Sequence, residues 1–460
     1  MARPHEDYPS VTKRARVTSR LSRSYTHSAA RLGLSTARFT VYGLILLSIF
    51  TTTLLVRSAS SRDPGSWFFN PSSGYSQRYS AFRQQQAERF VEAAVETPPY
   101  RKSNPATGLC VGIPSVARDG ARYLRTTVGS LLAGLSQEER AGMYLMVFLP
   151  HSDPNIHPAF QEAWLSNLVD EIVLYNVSNQ EMEYIESLEL KDVEHRTKGL
   201  YDYNYLMKAC HAKNTPYIAL LEDDVVAMDG WYHRTVYGIH QAETRSRQMK
   251  PSRDFLYLRM FYTEEFLGWN NENWPTYAFW SVLFISGSIC LVFGLPMAYQ
   301  YPKRLLTPRL SLAIVTLIVP WAVVMVFAAG KATVLPLPEG INEMNNFGCC
   351  AQGLVFPRHK ALDLIEWFTT SRVGFADMLI EQYANEHGEQ RWALTPSIIQ
   401  HIGSKSSKPD DFGHGAKFSK PVSATIWNFA FEIFVPEVLR NEHKLAGIDA
   451  VTLGRSTAGA

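Results

Sequence analysis

The stretch YIALLEDDVVAMDGW, residues 217–231, is a short apolar run that ends on three consecutive carboxylates, Glu222, Asp223 and Asp224. The four residues before the triplet, 218–221, are all aliphatic, which is typical of a buried strand. Three adjacent negative charges repel one another, so the pattern indicates that a positive group lies against them. A solvated acidic turn is the alternative, and the apolar run directly before the triplet argues against it.

The position of this acidic triplet (residues 222–224) indicates the kind of positive group. In open α/β sheets, ligands bind in the crevice beyond the carboxyl ends of the strands, and the triplet follows such an end if 217–221 is a strand. Hard carboxylate oxygens suit Mg²⁺ or Mn²⁺, and such an ion neutralises a diphosphate. The sequence therefore predicts a metal site for a phosphate-bearing ligand at the end of this strand.

The residues on either side of the triplet predict one α/β domain built from two polar segments. Short apolar runs alternate with longer helical runs, and this order implies a parallel sheet with crossover helices. The predicted strands are 109–114, 144–150, 171–177, 217–221, 349–357 and 393–403. The predicted helices are 201–212, 359–369 and 374–386. Neither segment looks complete by itself, so the simplest architecture is a single domain whose chain is interrupted.

Three long apolar runs predict membrane-spanning helices. The first, 39–57, follows a basic tail, 1–38, whose net charge is +6, whereas the rest of the chain carries −4. A cleaved signal peptide is the alternative, but a tail of 38 residues is too long for its n-region, so an uncleaved anchor is favoured. The other two runs, 277–299 and 310–330, flank a short loop, 300–309, that contains basic residues and no acid.

The charges beside these runs predict their orientation. Basic residues are enriched on the cytosolic side of membrane proteins, so the tail and the loop are expected in the cytosol. The polar segments 58–276 and 331–460 are then both lumenal. The prediction is a lumenal α/β domain interrupted by a two-helix membrane hairpin, with a further transmembrane helix near the N-terminus. A nucleic-acid partner is not expected, because the body of the chain has no aromatic-interleaved basic stripe.

Several stretches resemble known glycosyltransferases. IALLEDDVV resembles the acidic metal-binding motif of GT-A-fold enzymes, whose nucleotide-sugar-binding domain is Rossmann-like. HRTKGLYDYNYLMKAC (195–210) and PSIIQHIGSKSS (396–407) resemble segments of the β-1,4-N-acetylglucosaminyltransferases that branch N-glycans. FLYLRMFYTEEFLGWNNENWPTY (255–277), which leads into the second apolar run, is similar to the Golgi GPI N-acetylgalactosamine transferase family. In that family, a membrane hairpin splits a GT-A domain.

The resemblance to this family implies a function. A member would use Mn²⁺ or Mg²⁺ and a UDP-sugar donor to transfer N-acetylgalactosamine, or a related hexose or HexNAc, to the mannose core of GPI anchors with inversion. It would be a multi-pass Golgi membrane protein whose partners are the UDP-sugar, a GPI-anchored protein or GPI glycolipid, and membrane lipid. Two alternatives stay open: a GT-A N-acetylglucosaminyltransferase acting on N-glycans or other membrane glycans, and a non-catalytic glycolipid-binding scaffold. The donor sugar, acceptor position, linkage and oligomeric state stay open as well.

The resemblance also implies roles for single residues. The first acidic position contacts the ribose in such enzymes and the last binds the metal, while a late histidine completes the metal site. The implied metal ligands are therefore Asp224, Glu222 and His401. The residues expected to hold the nucleotide are Pro114, Arg118, Lys198, Asp202, Glu222 and Asp223. For Arg118, Lys198 and Asp202, a surface salt bridge or a turn is the alternative.

A carboxylate base is the remaining requirement of an inverting transfer, because a sugar hydroxyl is a poor nucleophile near neutral pH. Asp377 lies at the start of a predicted helix, where many GT-A enzymes carry this base, and Glu381 lies one turn later on the same face. A carboxylate favoured by the helix dipole is the alternative role for Asp377. The sequence leaves the choice between the two acids open. FGCCAQG (347–353) resembles the glycine-containing loop that lines the sugar.

Four cysteines lie outside the apolar runs: Cys110, Cys210, Cys349 and Cys350. A lumenal domain is in an oxidising compartment, so one or two disulfides are expected from three possible pairings. A bridge between the adjacent Cys349 and Cys350 would be strained, so a pairing of each with Cys110 or Cys210 is weakly preferred. The sequence Asn-Val-Ser at 176–178 is the one usable N-glycosylation sequon.

Overall fold

The two polar segments and the apolar runs separate into two units. The computed structural model describes residues 39–96, 98, 108–118, 120–192, 195–249, 254–299, 306–344, 350–404 and 422–457. The first unit draws its residues from the chain up to 61, from 66–68 and from 269–330. The second unit draws them from 62–65, 69–268 and 331 onward. The second unit therefore joins residues from both sides of the predicted hairpin.

Among its described residues, the first unit contains three long apolar helices, as the sequence predicts. They are Phe39–Ala59, Trp274–Ala298 and Pro308–Ala328, each at least 21 residues long. At 1.5 Å per residue, that length is sufficient to cross the hydrocarbon core of a bilayer. The ends of each helix lie within three residues of the predicted bounds 39–57, 277–299 and 310–330. That these helices cross a membrane stays a prediction, supported by their length and composition.

One local irregularity in these helices follows from the sequence. Pro320 has no amide hydrogen, so it cannot donate to the carbonyl four residues earlier. The turn that precedes it, Ile314–Ile318, widens into a π-helix.

The indole of Trp269 donates to the carbonyl oxygen of Phe327 at 3.0 Å, and its ring packs against Tyr277. An aromatic ring with a polar tip at a helix end is typical of the membrane interface.

In the part of the second unit that the structure describes, ten strands form two sheets. In chain order they are β1 (Leu109–Pro114), β2 (Met143–Phe148), β3 (Glu171–Val173), β4 (Tyr217–Leu221), β5 (Val225–Ala227), β6 (Phe255–Arg259), β7 (Gly340–Glu343), β8 (Gly353–Pro357), β9 (Gln390–Thr395) and β10 (Ile399–His401). The large sheet has the spatial order β3-β2-β1-β4-β8-β6-β9-β7, and β5 pairs with β10 in the small sheet. The predicted strand before the acidic triplet is β4, in the middle of the large sheet.

The sheet is mixed, so the expectation of a parallel sheet is only partly correct. β1 pairs in parallel with β2 and β4, and β2 with β3, as crossover helices require. β8 runs antiparallel between β4 and β6, and β7 runs antiparallel to β9. An apolar run carries no information about strand direction. The chain enters both reversed strands only after the apolar helices, so no short crossover fixes their direction.

The predicted strands and helices are present, with shifted ends. The predicted strand 171–177 ends at Val173, and the predicted strand 393–403 divides into β9 and β10 on either side of Pro396, which has no amide to donate. The helices of the second unit are Pro71–Gly74, Tyr79–Ala94, Tyr123–Leu132, Gln137–Gly142, Ala163–Leu168, Asn179–Lys191, Lys198–His211, Trp231–Met249, Lys331–Val334, Arg358–Ser371, Ala376–His387, Val422–Thr425 and Pro436–Thr457. Short 3-10 turns lie at Pro154–Ile156, Pro158–Gln161, Glu264–Leu267 and Phe431–Ile433.

The large sheet is buried on both faces. In β4, Ala219 and Leu221 join one apolar cluster, while Ile218 and Leu220 join another. Successive side chains of a strand point to opposite faces, so the alternation places helices on each side of the sheet. This layered arrangement explains the uninterrupted apolar run before the triplet. A strand covered on both faces has no position for a polar side chain until it ends.

The disulfide pairing corrects the sequence-based preference. Cys110 of β1 is bonded to Cys210 of the helix Lys198–His211, with Cα atoms 5.7 Å apart. The pairing of these two cysteines with Cys349 and Cys350 is therefore wrong. The helix packs directly on β1, where Gly112 leaves room for Leu206, and this contact brings the two sulfurs together. Cys350 is also disulfide-bonded, while Cys349 lies outside the described residues.

Candidate functional site

The acidic triplet lies where β4 leaves the large sheet and β5 begins. Glu222 N donates to the carbonyl oxygen of Gln352 at 3.1 Å, which is the last backbone bond before the chain turns away. In the small sheet, Val225 is paired with His401. Ile402 N donates to the carbonyl oxygen of Asp224 at 2.8 Å. The pairing of β5 with β10 therefore brings a histidine from the end of the domain to the carboxylates.

Three of the predicted ligands form one cluster. Ligand atoms of Glu222, Asp224 and His401 lie within 4.8 Å of one another. The Nε2 atom of His401 is 3.5 Å from Oδ2 of Asp224, and its Nδ1 atom lies 3.1 Å from the carbonyl oxygen of Ile426. A ring whose Nδ1–H donates to a backbone carbonyl presents Nε2 to a metal, as in many metal sites.

The residues around this cluster fit a divalent cation. Two atoms bound to one ion at about 2.2 Å lie at most about 4.4 Å apart, so the ligand atoms need only a small shift to share an ion. Oδ1 of Asp224 is buried and has no hydrogen-bond partner in the part of the chain that the structure describes. A Cβ added to Gly403 would clash with Oδ2 of Asp224 and would lie 2.9 Å from Nε2 of His401. The glycine therefore keeps open the space that an ion would occupy.

Asp223 has a different environment from its two neighbours. Its Oδ2 atom accepts hydrogen bonds from Arg118 Nη1 at 2.7 Å and from Ser115 Oγ at 2.5 Å. Ser115 Oγ is also 3.0 Å from Nε2 of His157. Arg118 Nη2 reaches to 3.7 Å from Oδ2 of Asp224. One positive partner of the triplet is thus Arg118, which the sequence analysis expects to hold the nucleotide; that role stays a prediction, and Ser115 and His157 were not anticipated.

Among the described residues, Arg118 and His401 are the positive partners of the three carboxylates. Burial and then the charge of Asp224 raise the pKa of Glu222 to about 8. Burial also raises the pKa of Asp223, because it outweighs the stabilisation by Arg118. For Asp224 the effect of burial is exceeded by His401 and Arg118, which lower its pKa. The pKa of His401 is raised, because Asp224 and Glu222 outweigh its burial. An additional cation at this position would favour the ionised form of Glu222.

The two candidate bases have contrasting surroundings. Asp377 is partly exposed, and its Oδ2 accepts a hydrogen bond from Cys350 N at 3.1 Å. Cys350 precedes Gln352 by two residues, and the carbonyl oxygen of Gln352 accepts the hydrogen bond from Glu222 N, so Asp377 lies near the triplet. Glu381 is 3% exposed and pairs with Arg259 at 3.0 Å and with Arg391 at 2.9 Å. Asp377 is therefore the partly exposed acid of the two, whereas Glu381 belongs to a buried ion-pair network.

The remaining predicted residues lie at the end of β1 and on the helix Lys198–His211. Pro114 is the last residue of β1, directly before Ser115. Lys198 Nζ bonds Asp202 at 2.9 Å and the carbonyl oxygen of Pro150 at 2.8 Å. Burial raises the pKa of Asp202 to about 6, although Lys198 acts in the opposite direction. The described contacts of Lys198 and Asp202 form a closed, buried pair and include none with the triplet.

Two further side chains near the site, Tyr203 and Gln352, were missed by sequence reasoning. The hydroxyl of Tyr203 and Oε1 of Gln352 are buried without a hydrogen-bond partner among the described residues. Burial raises the pKa of Tyr203, and the charges of Glu222 and Asp377 raise it further, so the hydroxyl lies near both acids. An unpaired hydroxyl and an unpaired amide oxygen beside carboxylates suit a ligand with many hydroxyl groups. Tyr203 falls in the stretch 195–210, but nothing local distinguishes it from a core tyrosine.

Part of the chain is similar to curated proteins. A stretch of 154 residues is 30% identical to alpha-1,3-mannosyl-glycoprotein 4-beta-N-acetylglucosaminyltransferase A of Bos taurus. The aligned stretch covers 30% of this chain and 28% of that protein. A stretch of 143 residues is 32% identical to alpha-1,3-mannosyl-glycoprotein 4-beta-N-acetylglucosaminyltransferase B of Mus musculus. This alignment covers 28% of this chain and 26% of that protein. The chain thus spans less than a third of the length of these relatives.

A family model accounts for much more of the chain. The model described as GPI-N-acetylgalactosamine transferase PGAP4 matches residues 109–400, from the first residue of β1 into β10. The matched range contains the acidic triplet, Asp377 and both helices of the predicted hairpin. Because this one model covers more than half of the chain and both parts of the interrupted sheet, the chain belongs to the GPI-N-acetylgalactosamine transferase PGAP4 family.

Proposed function

We propose that this protein is a metal-dependent glycosyltransferase with a GT-A fold, which transfers N-acetylgalactosamine or a related sugar from a UDP-sugar to the mannose core of GPI anchors. The proposal rests on one observation above all. Glu222, Asp224 and His401 converge at the carboxyl end of a central strand, where an α/β sheet binds its ligands. Membership of the PGAP4 family supports the sugar and the acceptor, and the three apolar helices are consistent with a Golgi membrane protein.

The donor would be held by the metal cluster and by the groups around it. Asp224, His401 and Glu222 would bind Mn²⁺ or Mg²⁺, which stabilises the negative charge of the departing diphosphate. Arg118 keeps Asp223 in place, and its Nε atom is buried without a hydrogen-bond partner in the described part of the chain. That N–H group is therefore available to a ligand that enters beside the triplet. Glu222 would contact the ribose once the cation reduces its pKa.

The acceptor hydroxyl would be activated by Asp377. The carboxylate takes the proton of this hydroxyl while its oxygen attacks the anomeric carbon from the face opposite to the diphosphate, and the bond from that carbon to the diphosphate breaks. The result is inversion. Cys350 N donates to Oδ2 of Asp377, and Met378 N donates to Oδ1, so the carboxylate is oriented by backbone amides.

The interrupted chain gives the membrane helices a role in this proposal. The first part of the second unit ends at Gly268 and its second part begins at Lys331, so both parts are covalently joined to the apolar helices between them. A GPI glycan is itself tethered to lipid. An enzyme anchored in the same membrane meets this acceptor with a smaller orientational search than a soluble enzyme does. The predicted orientation places the second unit in the lumen.

A second candidate function has its own support. The similarity to the 4-beta-N-acetylglucosaminyltransferases covers about 30% of the chain, which favours transfer of N-acetylglucosamine to N-glycans or other membrane glycans. The two candidates share the same metal cluster and differ in donor and acceptor. A test with both UDP-N-acetylgalactosamine and UDP-N-acetylglucosamine therefore distinguishes them.

The decisive experiment is to measure UDP-sugar binding to the detergent-solubilised full chain with and without Mn²⁺. We expect Mn²⁺-dependent binding that is lost in Asp224→Ala and retained in Glu183→Ala, a control that removes an exposed acid from another helix. Transfer from the preferred donor to a GPI mannose acceptor or to an N-glycan would then name the function. Equal binding by the Asp224→Ala variant would overturn the metal site. Absence of binding in every variant would favour the non-catalytic scaffold.

A further inference from the structure

We infer that the second unit contains another metal site, suited to Zn²⁺, at Glu139, His233 and His443. Ligand atoms of these three residues lie within 4.8 Å of one another, as they do in the cluster at the triplet. The three residues come from separate elements: the helix Gln137–Gly142, the helix Trp231–Met249 and the C-terminal helix Pro436–Thr457. None of the three residues belongs to the site described above.

The two imidazoles are arranged as paired ligands. The rings of His233 and His443 are stacked, with centroids 5.3 Å apart. Nε2 of His443 is 2.8 Å from Oε2 of Glu139 and 3.1 Å from Oε1. Ser136 N also donates to Oε2 of Glu139 at 2.8 Å, as part of a capping box, so the carboxylate is held in one orientation. One side of this cluster therefore presents a fixed carboxylate and a ring nitrogen to the same point.

The opposite nitrogen of each ring is supported by a carboxylate. Nδ1 of His443 is 2.8 Å from Oδ1 of Asp229. Nε2 of His233 is 3.3 Å from Oε1 of Glu442, and Arg234 fixes that carboxylate with two further hydrogen bonds. Histidines that bind metals almost always donate their other N–H to a carboxylate or a carbonyl, which sets the tautomer. Both rings therefore have the outer support that metal ligands have.

The structure also leaves one ligand atom of this cluster unused. Nδ1 of His233 is buried, with no hydrogen-bond partner among the residues that the structure describes. A buried ring nitrogen without a partner is costly unless a ligand satisfies it. A metal ion shared with Glu139 and His443 would do so. Without an ion, the observed contacts amount to an imidazole of His443 bridging Asp229 and Glu139, which is the competing explanation.

The chemical types of the three ligands indicate which metal ion this cluster would bind. Two imidazoles and one carboxylate form a set that binds Zn²⁺, with water in a fourth position. The cluster at the triplet has two carboxylates and a single imidazole, a harder set that is better suited to Mn²⁺ or Mg²⁺. A zinc ion here would tie the C-terminal helix to the helices Gln137–Gly142 and Trp231–Met249. The two clusters would therefore select different ions.

The test is zinc binding by the full chain, purified in detergent through a tag that contains no histidine. The Asp224→Ala variant serves as the parent, so that the cluster at the triplet contributes little. We expect the parent to retain one Zn²⁺ per chain after dialysis, and His233→Ala and His443→Ala to lose it. His240→Ala is the matched control, since His240 lies on the same helix as His233 and its side chain is 69% exposed. Asp229→Asn should weaken binding by about 10–100-fold, as loss of outer support does.

A second measurement covers variants that fail to fold. Glu139→Gln preserves the size of the side chain, so its unfolding temperature can be compared with that of the parent. Zn²⁺ should raise this temperature in the parent and in His240→Ala, and it should not do so in Glu139→Gln. A parent that retains no zinc, or zinc retention that is the same in the histidine variants, would overturn the proposal. In that case the cluster is an ion pair only.

Discussion

At the scale of single residues, Asp377 and Glu381 show why spacing alone cannot assign a catalytic base. They lie one turn apart on the same helix, and the sequence could not separate them. Glu381 is directed into the protein, where Arg259 and Arg391 neutralise it. Asp377 is partly exposed and lies near the triplet. The difference arises from the two arginines that pair with Glu381. Arg259 on β6 is 122 positions from Glu381 in the sequence, and Arg391 on β9 is 10 positions from it.

The two acids are therefore expected to respond differently to loss of charge. Asp377→Asn should lower kcat by about 10²–10⁴-fold and leave the dissociation constant of the UDP-sugar unchanged, because the base acts only on the acceptor. Glu381→Gln should lower the free energy of unfolding by about 3–5 kcal/mol, since it leaves two buried guanidinium groups without their counter-charge. Steady-state kinetics and thermal unfolding of both variants check this. A normal kcat in Asp377→Asn would transfer the base to another residue.

Gly403 provides a second residue-scale prediction. The Cβ of Gly403→Ala would clash with Asp224 and lie close to His401, so Mn²⁺ should bind about 10–100-fold more weakly, the loss that is typical when the surroundings of a metal ligand are changed. Binding can be measured by titration of Mn²⁺ in the presence of UDP. Gly43→Ala is the control, because a Cβ there would meet no atom within 4 Å. Unchanged Mn²⁺ affinity in Gly403→Ala would show that no ion lies between these two side chains.

At the scale of elements, short strands and helix contacts decide where the site residues lie. The sequence predicted one strand over 393–403, but the structure has β9 and β10 with Pro396 between them. Only the second of these strands pairs with β5, and that pairing brings His401 to Asp224. The prediction of His401 as a ligand came from a family resemblance. Periodicity could not have supplied it, because pairing between distant strands depends on the whole sheet.

The disulfide between Cys110 and Cys210 is a covalent contact between two elements that are distant in the sequence. It joins β1 to the helix Lys198–His211 across a sequence separation of 100 residues. Closing a loop of that length is worth about 4.7 kcal/mol in the chain-entropy model, so Cys110→Ala/Cys210→Ala should lower the unfolding temperature markedly. Differential scanning fluorimetry of this variant and of Cys290→Ala, which removes a free cysteine, makes the comparison. Equal unfolding temperatures would indicate that the bond is absent in the mature protein.

At the scale of the whole molecule, the orientation of the chain in the membrane controls which segments meet the lumen. Asn176 is exposed and precedes the helix Asn179–Lys191, whose N-cap is Ser178 of the same sequon. If the polar segments are lumenal, Asn176 should carry a glycan. Treatment with a glycosidase that removes N-glycans should then increase the mobility of the protein on a gel, and Asn176→Gln should migrate like the treated protein. An unchanged mobility of the wild-type chain would contradict the predicted orientation.

The predicted hairpin allows a second prediction at this scale. A variant that lacks 269–330, with Gly268 joined through a short flexible linker to Lys331, should retain activity toward a soluble mannose acceptor. Its activity toward acceptors embedded in vesicles should be lower, because the second unit would then be joined to a membrane helix only at its N-terminal end, through Phe39–Ala59, and would have a larger orientational search. Comparing the two acceptors separates loss of the fold from loss of tethering. Unchanged activity toward the embedded acceptor would remove the proposed role of the hairpin.

The sequence by itself determined the classes of element and the chemical character of the site. Uninterrupted apolar runs marked the three long apolar helices and most strands, since such runs reflect local burial. The run from Ile218 to Leu221 followed by three acids indicated a strand that ends at a charged ligand. Only the tertiary structure decided the direction of β7 and β8, the pairing of Cys110 with Cys210, and the separation of Asp377 from Glu381. These features depend on which distant elements become neighbours, and a single sequence does not record that choice.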